Sequence, residues 1–148
     1  KKEMYIPYNN NRAASAKVEE LVTPKTLNPS LVRWELHRVW EVEATLVSGK
    51  RHVIPKRKYY LDEDTWQIVL VDGWDAKGQL WHTNYALMLT APDIPAVTNG
   101  VMWGGYDLQT GAYYYNMAPN ELPRQYELKA SIPRSFFSPE SLSSEGAR

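Results

Sequence analysis

The chain has 148 residues, enough for one domain with its own core, and its 17 basic residues balance 17 acidic ones. That balance argues against nucleic acid as a partner, because non-specific affinity for a polyanion depends on excess positive charge. Cysteine is absent, which excludes disulfides and thiolate chemistry, and no apolar stretch is long enough to span a bilayer.

The N-terminal part of the chain predicts an extended piece followed by a short helix. Residues 5–11 contain Pro7 and a run of asparagines, which indicates an extended segment that enters a turn. Residues 12–22 place their apolar side chains at helical spacing, and Pro24 ends the pattern. We expect this helix to pack on the sheet that follows.

The middle of the chain predicts an antiparallel meander. Residues 32–46 alternate between apolar-rich even positions and polar odd positions, which is typical of a long strand with one apolar face. Ser48 and Gly49 suit a two-residue turn that places Ala44 opposite Val53. Turns at 62–65 and 75–78 then carry the same apolar face onward, and a slip of one residue at any turn would invert it.

The remainder of the chain predicts a loop over residues 92–100, a hairpin formed by residues 101–107 and 112–117, and a tail with little structure from about residue 138 to 148. The predicted fold class is mainly β (α+β), a single domain over residues 1–148. We expect a curved antiparallel sheet or incomplete barrel of about six strands, with the short helix against its concave face.

The alternation gathers aromatic and cationic side chains on one face, which is the candidate ligand-binding surface. Its members are Trp34, Leu36, Arg38, Trp40, Arg57, Tyr59, Trp66, Ile68 and Tyr85. One short helix is too small to cover so wide a face. Either further chain completes the cover, or the face stays partly open to a hydrophobic guest.

Arg38 and Arg57 belong to this apolar face by parity, where a charge is costly unless it is paired. One interpretation is an internal ion pair with Asp72, or with Glu19 or Glu20 of the helix. The other is a cationic anchor for an anionic headgroup, beside aromatic rings on which a guanidinium can stack.

No catalytic or metal-binding motif is recognisable. His37, His52 and His82 lack metal-ligand spacing and are interpreted as surface histidines, and residues 62–64 as a solvated acidic turn. No nucleophile elbow or phosphate-binding glycine loop occurs. We therefore predict a protein that is not an enzyme, with no catalytic residues, no metal and no cofactor.

Four stretches carry a family resemblance: KEMYIPYN at residues 2–9, WELHRVWEVEATL at 34–46, KRKYYLDEDTW at 56–66 and YDL at 106–108. They resemble a bacterial domain-of-unknown-function family whose members are labelled candidate outer-membrane lipoprotein-sorting proteins, and they match the C-terminal part of a full-length, exported member. The resemblance implies a fold like that of the LolA and LolB lipoprotein carriers, with helices plugging the concave side of an incomplete barrel. It also implies the periplasm of Gram-negative bacteria, with outer-membrane association, and no established catalytic residues.

Two functional hypotheses follow. The first is a non-enzymatic carrier or binding domain for a lipid, a lipoprotein acyl chain or another hydrophobic or amphiphilic ligand in envelope transport. The second is a protein–protein docking module with a fully plugged core, in a complex with an inner-membrane transporter and an outer-membrane protein. Neither hypothesis requires a membrane-spanning segment.

Overall fold

The structure, a computed structural model, describes residues 1–92, 96–122, 129 and 131–146, and for residues 96–101 and 145 it describes the backbone alone. In chain order the elements are β1 (Lys2–Pro7), α1 (Asn11–Ser15), α2 (Val18–Leu21), β2 (Val22–Thr23), β3 (Thr26–Leu27), β4 (Trp34–Thr45), β5 (Lys56–Asp62), β6 (Ile68–Trp74), β7 (Leu80–Ala91), β8 (Ala96–Asp107), β9 (Tyr113–Asn116), a 3₁₀ helix (Arg134–Phe137) and α3 (Pro139–Glu145).

Seven of the strands form one antiparallel sheet in the order β1-β4-β5-β6-β7-β8-β9, and β2 pairs with β3 in a separate hairpin. Among the described residues the sheet is not closed, because β1 and β9 remain its two edges. β1 nevertheless also contacts β6 and β7, and the Asn10 N–H donates to the Met88 carbonyl at 2.8 Å. The predicted mainly β, antiparallel and incompletely closed fold is confirmed, with seven strands in the sheet where about six were expected.

The core lies between one face of the sheet and the segment that contains α1, α2 and the β2–β3 hairpin. Buried residues of that segment, including Ala13, Ala14 and Leu21, pack against Leu87 and Met102 of the sheet. A second buried cluster continues the core towards β1 and β4. We call this side of the sheet the covered face.

The predicted helix over residues 12–22 is two short helices, since Ala16 has an extended backbone at ψ 162°. The buried Asn120 amide helps to end α1, because its Nδ2 donates to the carbonyl of Ala13 at 2.7 Å and of Ala16 at 2.8 Å. These bonds satisfy carbonyls that a helix terminus leaves unpaired.

Two further segments differ from the prediction. Residues 139–145 form helix α3, whereas the composition had indicated a tail with little structure. The helix begins at Pro139, a residue suited to a first helical position, after Ser138 accepts the Ser141 N–H at 3.2 Å. β8 begins at Ala96, so residues 96–100 of the predicted loop are strand, and residues 93–95 lie outside the described residues.

The connection between β4 and β5 is longer than the predicted two-residue turn. Residues 46–55 separate the strands, so Ala44 lies opposite Arg57 instead of Val53. Pro55 has no N–H and cannot donate to the ladder, which favours starting the strand after it. Because the register moves by an even number of residues, each side chain of β5 keeps its predicted face.

A bulge between β5 and β6 exchanges the two faces. Leu61 lies opposite Ile68, but Tyr60 lies opposite Leu70, so β6 contains one extra residue. Side-chain direction alternates along a strand, so one extra residue inverts every position beyond it.

The predicted continuity of one apolar face through three turns is therefore wrong at this point. Trp66 lies outside the strand in a left-handed conformation, φ 58°. Asp62 organises the turn that precedes it by accepting the Thr65 N–H at 3.0 Å and the Thr65 hydroxyl at 2.7 Å. Because the bulge inverts side-chain direction beyond Ile68, Tyr85 lies on the face opposite to Trp40.

Candidate functional site

Rows of directly opposed residues define the two faces of the sheet. One row runs through Val42, Tyr59, Val71, Asn84 and Gly105. The other runs through Glu41, Tyr60, Leu70, Tyr85 and Gly104. The second row belongs to the covered face, and we call the face of the first row the open face.

The open face holds most of the residues that the sequence predicted together. The predicted residues on it are Leu36, Arg38, Trp40, Arg57, Tyr59 and Ile68, and Trp66 reaches it from the turn before β6. Tyr5 of β1 and Trp103 of β8 join them, and the sequence analysis did not identify either. The helices pack on the covered face, so the expected helical cover of these residues is wrong.

Several large apolar side chains of the open face are exposed. Trp66 is 65% exposed and Leu36 57%, and Val42, Ile68 and Trp103 are also exposed. Single exposed apolar residues are normal on a protein surface, but a contiguous set drawn from several strands is typical of a binding surface.

Trp40 and Trp66 form the aromatic centre of the open face. Their ring centroids lie 6.1 Å apart at an interplanar angle of 24°, which is a stacked arrangement. The Lys1 ammonium lies 4.5 Å from the Trp40 ring centroid. The Trp40 Nε1 is buried and finds no acceptor among the described residues, which is a costly arrangement for a hydrogen-bond donor.

A shallow apolar recess of about 240 Å³ adjoins this centre, with Ile68, Val71, Ala86 and Trp103 among its walls. Sites that enclose small molecules usually exceed about 300 Å³. The recess can accept part of a ligand, and the remainder would lie along the surface.

The two arginines lie near the rim of the open face and not in an internal ion pair. Arg38 is 65% exposed, and its Nε lies 2.7 Å from the Glu63 carboxylate. Arg57 approaches His52 at 3.5 Å and has no carboxylate within ion-pair distance among the described residues. The predicted partner Asp72 lies elsewhere, where it accepts from Tyr60 and Thr83.

Tyr85 and Trp34 lie away from this group. They line a separate recess of about 200 Å³ beneath the β2–β3 hairpin, together with Leu27, Leu70 and Tyr106. Burial raises the pKa of the Tyr85 phenol above its usual value. The prediction that Tyr85 shares a surface with Trp40 is wrong, because the β5–β6 bulge was not foreseen.

A cluster around His37 was also misjudged from sequence. The His37 side chain is only 14% exposed, its ring lies 4.4 Å from that of Tyr8, and its Nδ1 lies 2.8 Å from Asp62 Oδ1. Asp62 is fully buried. The predictions of a surface histidine and a solvated acidic turn are therefore wrong for these two residues.

The signal for this cluster was present in the sequence. His37 shares its side of β4 with Val39, which is fully buried, and Asp62 and Thr65 have the spacing of a side-chain-capped turn. Ligand atoms of His37, Asp62 and Asp64 lie within 4.8 Å of one another, so these residues could hold a cation. Both Asp62 oxygens already accept hydrogen bonds, which favours a structural role that joins β4 to the β5–β6 turn.

No helix among the described ranges is both long and apolar enough to cross a membrane. A solved domain from Vibrio parahaemolyticus, described as a candidate outer membrane lipoprotein-sorting protein domain, aligns with 72% of this chain and 42% of its own. The alignment has a TM-score of 0.40 and a sequence identity of 16%.

Sequence comparison finds an uncharacterized protein of Pseudomonas aeruginosa, PA3922, that is 38% identical over 152 residues. The match covers 100% of this chain and 33% of PA3922, so the chain spans about a third of that relative. The model of a family described as "Protein of unknown function (DUF1329)" matches residues 1–143. Since that match extends over nearly the whole sequence, the chain belongs to the DUF1329 family.

Proposed function

We propose that this domain is a non-enzymatic binding domain for an amphiphilic ligand, such as a lipid or a lipoprotein acyl chain, that lies along the open face. The observation that carries the proposal is the contiguous set of exposed apolar side chains around Trp40 and Trp66. No element among the described residues covers them, and stable proteins rarely leave such a surface without a partner.

The size of the face sets the expected affinity. A patch of about 300 Å² contributes about 7 kcal/mol when it leaves water, and an equal apolar area on the ligand contributes about 7 kcal/mol more. The loss of ligand freedom offsets about 6 kcal/mol, near the lower end of the usual range. We therefore expect a dissociation constant on the order of micromolar, suited to a ligand that is passed on.

A cationic group at the rim supports a ligand with one anionic end. Arg57 has no carboxylate partner among the described residues. A carboxylate or phosphate oxygen could pair with Arg57 while the apolar chain of the ligand follows Leu36 or Ile68. Arg38, although bonded to Glu63, is exposed enough to exchange partners.

The biological setting belongs to the same proposal. We place the domain in the periplasm of a Gram-negative bacterium, associated with the outer membrane, as the family resemblance implies. An inner-membrane transporter would supply the ligand and an outer-membrane protein would accept it.

A protein-docking module is the second candidate, and the shallowness of the open face favours it. A recess of about 240 Å³ encloses little of a lipid, whereas a flat apolar surface suits a protein segment. This candidate predicts a partner that is recovered by pull-down and no co-purifying small molecule.

The experiment compares the wild-type chain with Trp66→Ser/Ile68→Ser, which removes two exposed apolar side chains from the open face. Anilinonaphthalene sulfonate, an anionic apolar dye, should bind the wild type with an affinity on the order of micromolar and the variant at least about tenfold more weakly. The control is Leu108→Ser, an exposed apolar residue in the β8–β9 turn. A wild type that binds no dye and carries no extractable lipid would contradict the proposal.

A further inference from the structure

The residues after β9 include a second unpartnered apolar surface. Phe137 is 72% exposed, Leu142 75%, and Ile132 and Phe136 are also exposed. They belong to the C-terminal segment, which we define as residues 131–146 with the 3₁₀ helix and α3. Four large apolar side chains within so short a segment make it unlike an ordinary solvated tail.

The C-terminal segment is ordered by contacts within itself. The rings of Phe136 and Phe137 meet edge to face at 5.5 Å and 84°. Its hydrogen bonds, such as that from the Leu142 N–H to the Ser138 carbonyl at 3.2 Å, stay inside the segment, and among the described residues none joins it to the sheet. The segment is therefore a small, locally folded unit.

Its apolar side chains surround a hollow. The hollow has a volume of about 490 Å³, and Phe136, Phe137, Pro139 and Leu142 provide its apolar walls. An indole side chain fits within such a volume. The most exposed indole of the open face is that of Trp66, which projects from the turn before β6.

We propose that the C-terminal segment docks on the open face of its own chain, with Trp66 in the hollow, and thereby competes with the ligand. Opposite charges on the C-terminal segment and the open face support this arrangement. Glu140 is exposed on α3, and Arg57 is the open-face cation without a carboxylate partner among the described residues. The segment would thus imitate the ligand, because it presents apolar groups beside a carboxylate.

Because the C-terminal segment is attached to the same chain, a weak contact is enough to keep it on the open face. Asn120 is held at α1 by its bonds to Ala13 and Ala16, so residues 121–131 join that anchor to the segment, and a chain of that length reaches about 35 Å when extended. Trp66 precedes β6, which lies three strands from the β9 edge, or about 15 Å across the sheet, so its side chain is within reach. Attachment through so short a tether gives an effective concentration on the order of millimolar, at which a contact too weak to hold two molecules together is still populated.

This inference rests on the proposed function, because competition with a ligand requires that a ligand binds the open face. The docking contact itself does not require a ligand. The test uses the full chain and the substitution Phe136→Ser/Phe137→Ser, at two exposed positions. Oxidative footprinting with mass spectrometry measures access to Trp66, and Tyr113, exposed on another part of the surface, is the internal reference. Leu122→Ser, which removes an exposed leucine outside the segment, is the matched control.

If the segment docks, Trp66 should oxidise at least about threefold faster in the variant than in the wild type or the control, relative to Tyr113. The variant should also bind the apolar dye about threefold more tightly. Equal oxidation of Trp66 in all three proteins overturns the inference, whatever the dye does. Protection of Trp66 that disappears on dilution overturns docking within one chain, because the occupant would then be a second copy.

The measurements distinguish failure of the proposed ligand binding from failure of the docking contact. Faster Trp66 oxidation in the variant, with no dye bound by any of the proteins, would contradict the proposed function and support the docking contact. Dye binding of equal strength in all three proteins, with equal Trp66 oxidation, would support the proposed function and contradict the docking contact.

Discussion

At the scale of single residues, two adjacent glycines allow close packing on both sides of the sheet. The Tyr85 ring lies over Gly104 on the covered face, where an added Cβ would come within 2.8 Å of the Tyr85 Cζ. Asn84 lies over Gly105 on the open face, where an added Cβ would overlap its amide. Strand glycines often mark such close approaches.

We predict that Gly104→Ala lowers the free energy of unfolding by about 1–3 kcal/mol, since the new methyl group must displace the Tyr85 ring or the Tyr114 carbonyl. Urea titration of both proteins measures the change. Gly146→Ala is the control, because a Cβ there has no neighbour nearer than 3.8 Å. Equal losses in the two variants would refute this account of Gly104.

At the scale of elements, two hairpin turns share one structural feature, an aspartate that accepts backbone N–H groups of its own turn. Asp75 accepts the N–H groups of Lys77 and Gln79, each at 2.9 Å, and Asp107 those of Gln109 and Thr110, also at 2.9 Å. A glycine with positive φ follows in each turn, at 77° and 79°. Both segments contain an aspartate that is followed a few residues later by a glycine, and their common structural feature is this carboxylate-capped turn.

Asp107 provides a prediction about pH. The hydrogen bond from the Thr110 N–H is the main cause that lowers its pKa from 3.8 to about 2. A group whose pKa is lowered by folding stabilises the native state above its unfolded pKa, and that contribution is lost as pH falls through the folded value. The melting temperature should therefore fall between about pH 4 and pH 2.

The variant Asp107→Asn should melt at a lower temperature than the wild type at neutral pH, and the gap should shrink towards about pH 2. Circular dichroism melts across that range measure both effects. The control is Asp64→Asn, at an exposed carboxylate that accepts no hydrogen bond from the described residues, which should melt at the wild-type temperature at neutral pH. A gap between Asp107→Asn and the wild type that is constant with pH would contradict the assignment.

The strands also show how far sequence reasoning reaches. Strict alternation assigned the side chains of β4 to two faces correctly, because side-chain direction follows residue parity in a regular strand, but the face that is covered is the odd-numbered one. It failed within β6, beyond Ile68, since a bulge changes parity without a hydrophobic signal. As a consequence, the predicted site residues lie on two faces of the sheet, with Trp40 and Ile68 on the open face and Tyr85 in the core.

At the scale of the whole molecule, one sheet separates two surfaces of different character. Helices and a hairpin fill the covered face, so the interior is plugged as the docking hypothesis expected. On the open face Trp66 and Leu36 are exposed, and Trp40 is half-buried. The chain spans about a third of its Pseudomonas relative.

The most direct test of a ligand on the open face is quenching of tryptophan fluorescence by a fatty acid brominated along its chain, because bromine quenches only at close contact. We predict strong quenching in the wild type, and loss of most of it in Trp40→Phe/Trp66→Phe. Trp74→Phe, which removes an indole that contacts Lys56 instead, is the control and should retain the quenching. Absence of quenching in the wild type, or equal quenching in all three proteins, would contradict the account.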